Sequence, residues 1–220
     1  MKRVAVTGLG VISPVGNDVP TFWNALCSGT CGIGPITKFD ATDYPVKLAA
    51  EVREFDPKQY MEKLDILHSD VYTHFAMAAA CQAVADSSIA GTLDPERVGV
   101  YIGSGIGGIA TFMTEHSKLL NRGPRRVSPY FIPMMIPNMA SSMIAMRYHF
   151  HGPAMPMVTA CASGSNAIGE AMRLIRHGYA DAMVAGGAEA TVNALAAAGF
   201  SNMQALSASC DPLRASLPFD

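Results

Sequence analysis

Among the side chains able to do covalent chemistry, Cys161 has the most suggestive neighbourhood, the stretch VTACASGSNAIGEAMRLIRHG at residues 158–178. The apolar run MPMVTA (155–160) reads as a strand that delivers the cysteine to the carboxyl end of a parallel sheet, where α/β proteins place their sites. Ala162, Ser163 and Gly164 leave room for a substrate and let the chain turn sharply. A helix starting about Ser163 points its free N–H groups and positive end at the sulfur, which favours thiolate. That helix end contributes about 0.3 to 1 kcal/mol, less than one pKa unit from a starting value near 8.5, so the thiol alone stays mostly protonated at neutral pH. An efficient nucleophile therefore needs a further group, typically an imidazole, and donors for the oxyanion formed on attack. The Cys161 N–H is one candidate donor. A cysteine after an apolar strand also packs well as a small buried hydrophobe, and at this level both readings stand.

Other motifs carry less. GSGIGG (103–108) has the G-x-G-x-x-G form between an expected strand and helix, but the acidic residue required about 20 positions on is missing from RRVSPYFIP. Glycines that let two backbones pass closely explain the pattern equally well. The six histidines (His68, His74, His116, His149, His151, His177) show no H-E-x-x-H and no Cys/His ligand spacing, so no metal is expected. G-x-S-x-G is absent. Arg125 and Arg126 suit a phosphate or, more commonly, a solvated or interface charge.

The elements that must position Cys161 alternate along the chain. Strands are expected at VAVTGL (4–9), KLAAEV (47–52), VGVYIG (98–103), MPMVTA (155–160) and AMVAGG (182–187). Helices are expected near Thr21–Leu26, Val71–Ala85, Gly108–Leu120, from about Pro137 through RYHF, and from Ser163 to His177 with Gly178 closing the last. CSGTCGIGP reads as loop. This alternation argues for an α/β fold with a mostly parallel sheet, taken as one domain.

Composition narrows the function classes. The 220 residues are half apolar, with 16 basic and 18 acidic side chains spread without blocks, so nucleic acid is not an expected partner. The run after Lys2 and Arg3 is too short for a secretory signal. Five cysteines without a CxxC pair suit reduced thiols, which together place the protein in the cytoplasm. The charge-free run Val127–Met146 is interrupted by Pro129, Pro133, Pro137 and Asn138, and reads as buried core, not a membrane span. Positive mean hydropathy and a low charged fraction suggest that much surface is covered by a partner or by further chain.

VTACASGSNAIGEA followed by RLIRHGYADAMVAGGAEA resembles the nucleophile region of the β-ketoacyl-acyl-carrier-protein synthases, on the elongating type II branch of fatty acid synthesis. VAVTGLGVISPVGN, GSGIGG, KLLNRGPRRVSPYFIPMMIPNMA and AAGFSNMQALS agree with it in order and spacing, so the likeness covers almost the whole chain. The resemblance implies a thiolase-like fold, two similar halves stacked as α-β-α-β-α layers, and a homodimer. It implies that Cys161 takes an acyl group from acyl carrier protein, after which a decarboxylating malonyl group on the same carrier type attacks the thioester. It assigns Ile106 to the gate of the acyl pocket and Phe131 to the far end of that pocket across the dimer, and it implies no cofactor. The chain ends at DPLRASLPFD, with Leu217 where the family has arginine, so it corresponds to the N-terminal half. The family's second half carries two histidines, a lysine and a GFGG loop. Between Lys63 and Val71 the chain reads KLDILHSDV where the family has several basic residues for the acidic carrier. A noncatalytic partner subunit, or an inactive truncated product, is the alternative. Coenzyme A-dependent thiolase is disfavoured by the GIGG to SPYFIP arrangement.

Overall fold

The structure is a computed structural model that describes residues 3–219. Its helices are α1 (Val19–Cys27), α2 (Lys63–Leu67), α3 (Val71–Ser87), α4 (Ile109–Arg122), α5 (Phe131–Met135), α6 (Met139–Tyr148), α7 (Ser163–Arg176) and α8 (Ala194–Asn202). The strands are β1 (Ile33–Pro35), β2 (Leu48–Ala50), β3 (Val98–Gly103), β4 (Ala154–Met157) and β5 (Ala182–Gly187). The elements divide into two compact units, one of residues 3–10 and Asp56–Ala190, the other of Val11–Phe55 and 191–219.

The larger unit is built on a three-stranded, wholly parallel sheet in the order β4-β3-β5. Two crossovers make it: α4 to α6 carry the chain from β3 to β4, and α7 carries it from β4 to β5. β3 is buried at every residue because both its faces are covered. Val98, Val100 and Ile102 alternate toward a core shared with Tyr72, Met77 and Val84 of α3 and Ile144 of α6. The other face meets α7, which also packs on β4 and β5. Ser141 of α6 is buried and stitches two strands together: its Oγ accepts from Ile102 N–H at 3.0 Å and donates to Met155 O at 2.9 Å. The run Val127–Met146 is accordingly split into α5 and a largely buried α6, and no helix among the described residues is long and apolar enough to cross a membrane.

Helix ends follow local chemistry. Asp70 caps α3 by accepting from Tyr72 N–H, and the helix stops where Ser88 turns left-handed at φ 54°. Gly178, at φ 80°, ends α7, and the following Tyr179 N–H reaches back to Leu174 O at 2.9 Å.

The expected strand at 4–9 joins neither sheet. Its segment lies against α3: a Cβ on Gly8 would stand 2.2 Å from Ala83 O and one on Gly10 1.9 Å from Ala79 O, and Leu9 N–H donates to the Asp86 carboxylate at 3.0 Å. Val6 is left 80% exposed. The expected strand 155–160 stops at Met157, because the chain must turn before Cys161.

In the smaller unit, Asp18 caps α1 through Thr21 N–H at 2.7 Å. Asn193 caps α8 in the same way through Ala196 N–H. The loop reading of CSGTCGIGP needs correcting at its end, where Ile33, Gly34 and Pro35 pair antiparallel with Ala50, Ala49 and Leu48. Beyond that ladder the Glu51 carboxylate accepts from Thr37 N–H at 3.0 Å and Lys38 N–H at 3.3 Å. Burial opposes its charge, but these bonds, with that from the Thr37 hydroxyl, hold the carboxyl below its usual range.

Candidate active site

The chain passes from strand to helix in five residues, 158–162. Ala160 takes a left-handed backbone, φ 51°, which costs a non-glycine residue roughly 1 to 2 kcal/mol. The surrounding hydrogen bonds impose it. Ala162 N–H donates to Thr159 O and Ser163 N–H to Ala160 O, each at 3.1 Å. The buried Ser163 hydroxyl donates to Ala160 O at 2.6 Å and accepts from Thr159 N–H at 2.9 Å. Asn166 then ties the first turn of α7 to the Thr159 hydroxyl at 2.8 Å. Strain of this kind, held by its surroundings, presents the next side chain outward: Cys161 is exposed, directly before the N-terminus of α7.

Glycines let α7 start this close to the sheet. A Cβ on Gly103, the last residue of β3, would lie 2.3 Å from Ser163 C, and one on Gly187, the last of β5, 2.8 Å from Gly164 Cα. Gly107 and Gly108 of GSGIGG do similar service. Gly107 has φ 73°, and a Cβ there would meet Met135 O at 2.8 Å; one on Gly108 would meet Met134 O at 2.3 Å. Close backbone passage thus accounts for three of the motif's four glycines.

The turn 104–107 lies beside the cysteine's turn, a Cβ on Gly105 being 3.5 Å from Ala160 O. Ile106, on this turn, is 42% exposed. Phe131 is carried off on α5, where its ring centroid is 6.3 Å from that of Phe112 on α4. The structure therefore brings Ile106 and Cys161 onto adjoining turns and packs Phe131 against its own chain.

Each histidine has a place of its own. His74 is buried, its Nε2 3.1 Å from Ser69 Oγ and 3.2 Å from Ile66 O, and burial pushes its pKa down. His68 stacks on Tyr130 with centroids 3.6 Å apart, His116 on Phe112 at 6.0 Å, and His151 pairs with Glu96 at 3.0 Å. His149 and His177 cap the ends of α6 and α7. Among the described residues there is no cluster of three or more metal-ligating side chains.

A cavity of about 510 Å³ opens between α3, α4 and α5, lined by Leu67, Val71, Thr111, Tyr130 and Met134 among others. Its wall is braced by Asp70, whose Oδ2 accepts from both Thr111 N–H at 2.8 Å and the Thr111 hydroxyl at 2.6 Å. The stretch Lys63–Val71, poor in basic residues, supplies part of its rim.

Sequence reasoning missed Ser163 as the closure of the turn, Ala160 as its strained residue, and Glu189. Glu189 accepts from three donors of the turn 104–107, and the one available signal was an acid two residues past the AGG end of β5.

Comparison with known proteins adds to this geometry. The sequence model of the family described as "Beta-ketoacyl synthase, N-terminal domain" matches residues 1–220. The 3-oxoacyl-[acyl-carrier-protein] synthase 2 of Synechocystis sp. is 47% identical over 221 residues, covering 100% of this chain and 53% of its own length. A β-ketoacyl synthase from Burkholderia phymatum superposes with a TM-score of 0.88 at 28% identity, over 100% of this chain and 55% of that one. A type II PKS ketosynthase, solved in complex with its acyl-carrier protein, gives 0.80 at 25% identity over 93% and 55%. The chain thus spans about half the length of the relatives it matches.

Proposed function

We propose, from the premise that the chain belongs to the β-ketoacyl synthase family as its N-terminal domain, that it is the acyl-accepting half of a 3-oxoacyl-[acyl-carrier-protein] synthase. Its fold is the α/β, thiolase-like fold of the ketosynthases. We read the two units as parts of that one domain.

The observation that carries the proposal is the Ala160–Cys161 turn: an exposed thiol on a strained backbone at the start of a 14-residue helix. Its sulfur attacks the carbonyl carbon of an acyl thioester on acyl carrier protein. The new C–S bond forms, the carrier's thiol leaves, and it takes up the proton that Cys161 gave. A malonyl group on a second carrier then loses carbon dioxide, and the electron pair left on its α-carbon attacks the acyl carbon. The Cys161 sulfur departs as thiolate, and the β-ketoacyl product carries one more two-carbon unit. Imidazoles for the decarboxylation belong, on the family pattern, to sequence following these residues, and the acyl chain would run past Ile106 with Phe131 contributed across a homodimer. A cytoplasmic enzyme without cofactor is the setting this implies.

The test is acyl transfer. Incubation of the protein joined to the family's second half with acyl-[acyl-carrier-protein] should add one acyl group, released by hydroxylamine, to the peptide that contains Cys161, and Cys161→Ser should abolish it. An unmodified Cys161 peptide alongside an intact acyl carrier would overturn the proposal and favour a noncatalytic partner subunit.

A further inference from the structure

Glu189 lies two residues past the end of β5. Its Oε2 accepts from Gly105 N–H at 2.7 Å and Ile106 N–H at 3.3 Å, while Oε1 accepts from the Ser104 hydroxyl at 3.3 Å. Ser104 Oγ in turn accepts from Gly107 N–H at 3.0 Å. One carboxylate thus gathers, directly or through Ser104, three N–H groups and a hydroxyl of a single turn, the kind of concave backbone donor set that binds anions.

That turn is fixed at both ends by other means. Behind it, Ala188 N–H bonds Gly103 O at 2.9 Å and Ser104 N–H bonds Met157 O at 3.1 Å; ahead of it, Gly108 N–H bonds Met135 O at 2.9 Å. Its middle, Gly105 and Ile106, has its backbone N–H groups on Glu189. The middle is also the part that borders the cysteine: a Cβ on Gly105 would stand 3.1 Å from Glu189 Oε2 on one side and 3.5 Å from Ala160 O on the other. Ile106 is the one large side chain between Ser104 and Gly108, and it is exposed. Displacing the middle of the turn therefore changes the space beside Cys161 without touching the hydrogen bonds that shape the cysteine's own turn.

We propose that Glu189 is a positioning residue that latches the turn 104–107 and so sets how wide an acyl chain can approach Cys161. This rests on the reading of Cys161 as acyl acceptor. Because the Glu189 side chain is exposed, truncating it removes the latch without opening a buried cavity, and the chain should still fold. Gln at this position keeps an oxygen for the Gly105 and Ile106 N–H groups, at the cost of charge assistance.

The test measures the rates at which iodoacetamide, N-ethylmaleimide and N-dodecylmaleimide modify Cys161, resolved by peptide mass spectrometry. Loss of two backbone hydrogen bonds and that from the Ser104 hydroxyl in Glu189→Ala should change the dodecyl-to-ethyl rate ratio by at least about threefold, while the iodoacetamide rate stays within about twofold. Glu189→Gln should keep the ratio near that of the parent. Ser104→Ala, which removes one donor to the carboxylate and the acceptor of Gly107 N–H, should shift the ratio in the same direction as Glu189→Ala. If Glu189→Ala does not fold, Ser104→Ala decides. An unchanged ratio in the deciding variant overturns the inference, as does a change of all three rates by one common factor. Acyl transfer to parental Cys161 separates the two claims: transfer with an unchanged ratio sinks the latch alone, whereas absence of transfer sinks the acyl-acceptor reading and the latch with it.

Discussion

The Ser163 hydroxyl donates to the carbonyl oxygen of Ala160 at 2.6 Å, closing the turn from which Cys161 projects. Ser163 Oγ also accepts from Thr159 N–H, so a single buried side chain holds both the strained residue and the one before it. Ser163→Ala leaves the Thr159 N–H and Ala160 O each one partner short, at a cost of about 1 to 3 kcal/mol. Urea denaturation should show this loss, together with slower alkylation of Cys161. Ala160→Gly relieves the left-handed backbone while gaining unfolded-state entropy, so it should change stability by less than about 1 kcal/mol. Ala160→Val, β-branched at positive φ, should be clearly destabilised.

Gly103 tests whether helix placement matters to the thiol. A methyl group there meets Ser163 C at 2.3 Å and Ser163 O at 2.4 Å, both backbone atoms that no side-chain rotation can move aside. Gly103→Ala should therefore displace the start of α7, lowering stability by about 1 to 3 kcal/mol and slowing Cys161 alkylation. Gly91, whose added Cβ meets nothing within 4 Å but whose φ is 75°, is the control: Gly91→Ala should cost only backbone strain and leave the thiol rate unchanged.

Stability should fall on mild acidification because of His74. Burial lowers its pKa in the folded chain from the ordinary 6.5, against the opposing pull of Asp70 and of its bonds to Ile66 O and Ser69. The folded state then binds fewer protons than the unfolded one, so stability is full above about pH 7 and is lost as pH falls through 6.5 toward the lowered value. The lowered carboxyls of Glu51 and Glu115 act only further down, below their ordinary 4.5. Urea midpoints at about pH 7.5 and 5.5 should differ for the parent and converge in His74→Gln.

Carrier binding should depend weakly on salt. Where the family pattern places basic residues, Leu64 and Leu67 are 65% and 63% exposed and His68 is stacked on Tyr130. Leu67→Lys should tighten binding of an acidic acyl carrier protein by about two- to fivefold at low salt and steepen its salt dependence. Equal titration curves for parent and variant would show that the carrier docks elsewhere.

The exposed position of Cys161 and the sheet that precedes it were legible because they are written in contiguous residues. VGVYIG and AMVAGG form strands with the boundaries expected, since continuous apolar runs ending in glycine suit the strands of a parallel sheet. The fold class followed from these runs and their alternation with helices, and the family resemblance from VTACASGSNAIGEA and the longer stretches that agree with it. Pairing partners were not legible: VAVTGL has the composition of a buried strand yet joins neither sheet, and IGP pairs although it reads as turn. Short helices such as α2 and α5 have five residues each, too few for a periodicity to register. The roles of Glu189 and Ser163 were not legible because they depend on backbone groups, 84 residues away in one case and within a strained turn in the other.

Four exposed cysteines in one chain provide the sharpest test, since Cys27, Cys31 and Cys210 share the exposure of Cys161 without its turn and helix. After brief incubation with acyl-[acyl-carrier-protein], peptide mass spectrometry would read acyl occupancy at all four. Acyl is expected on Cys161 and on none of the others. Occupancy spread evenly over the four, or confined to Cys27, Cys31 or Cys210, would contradict it.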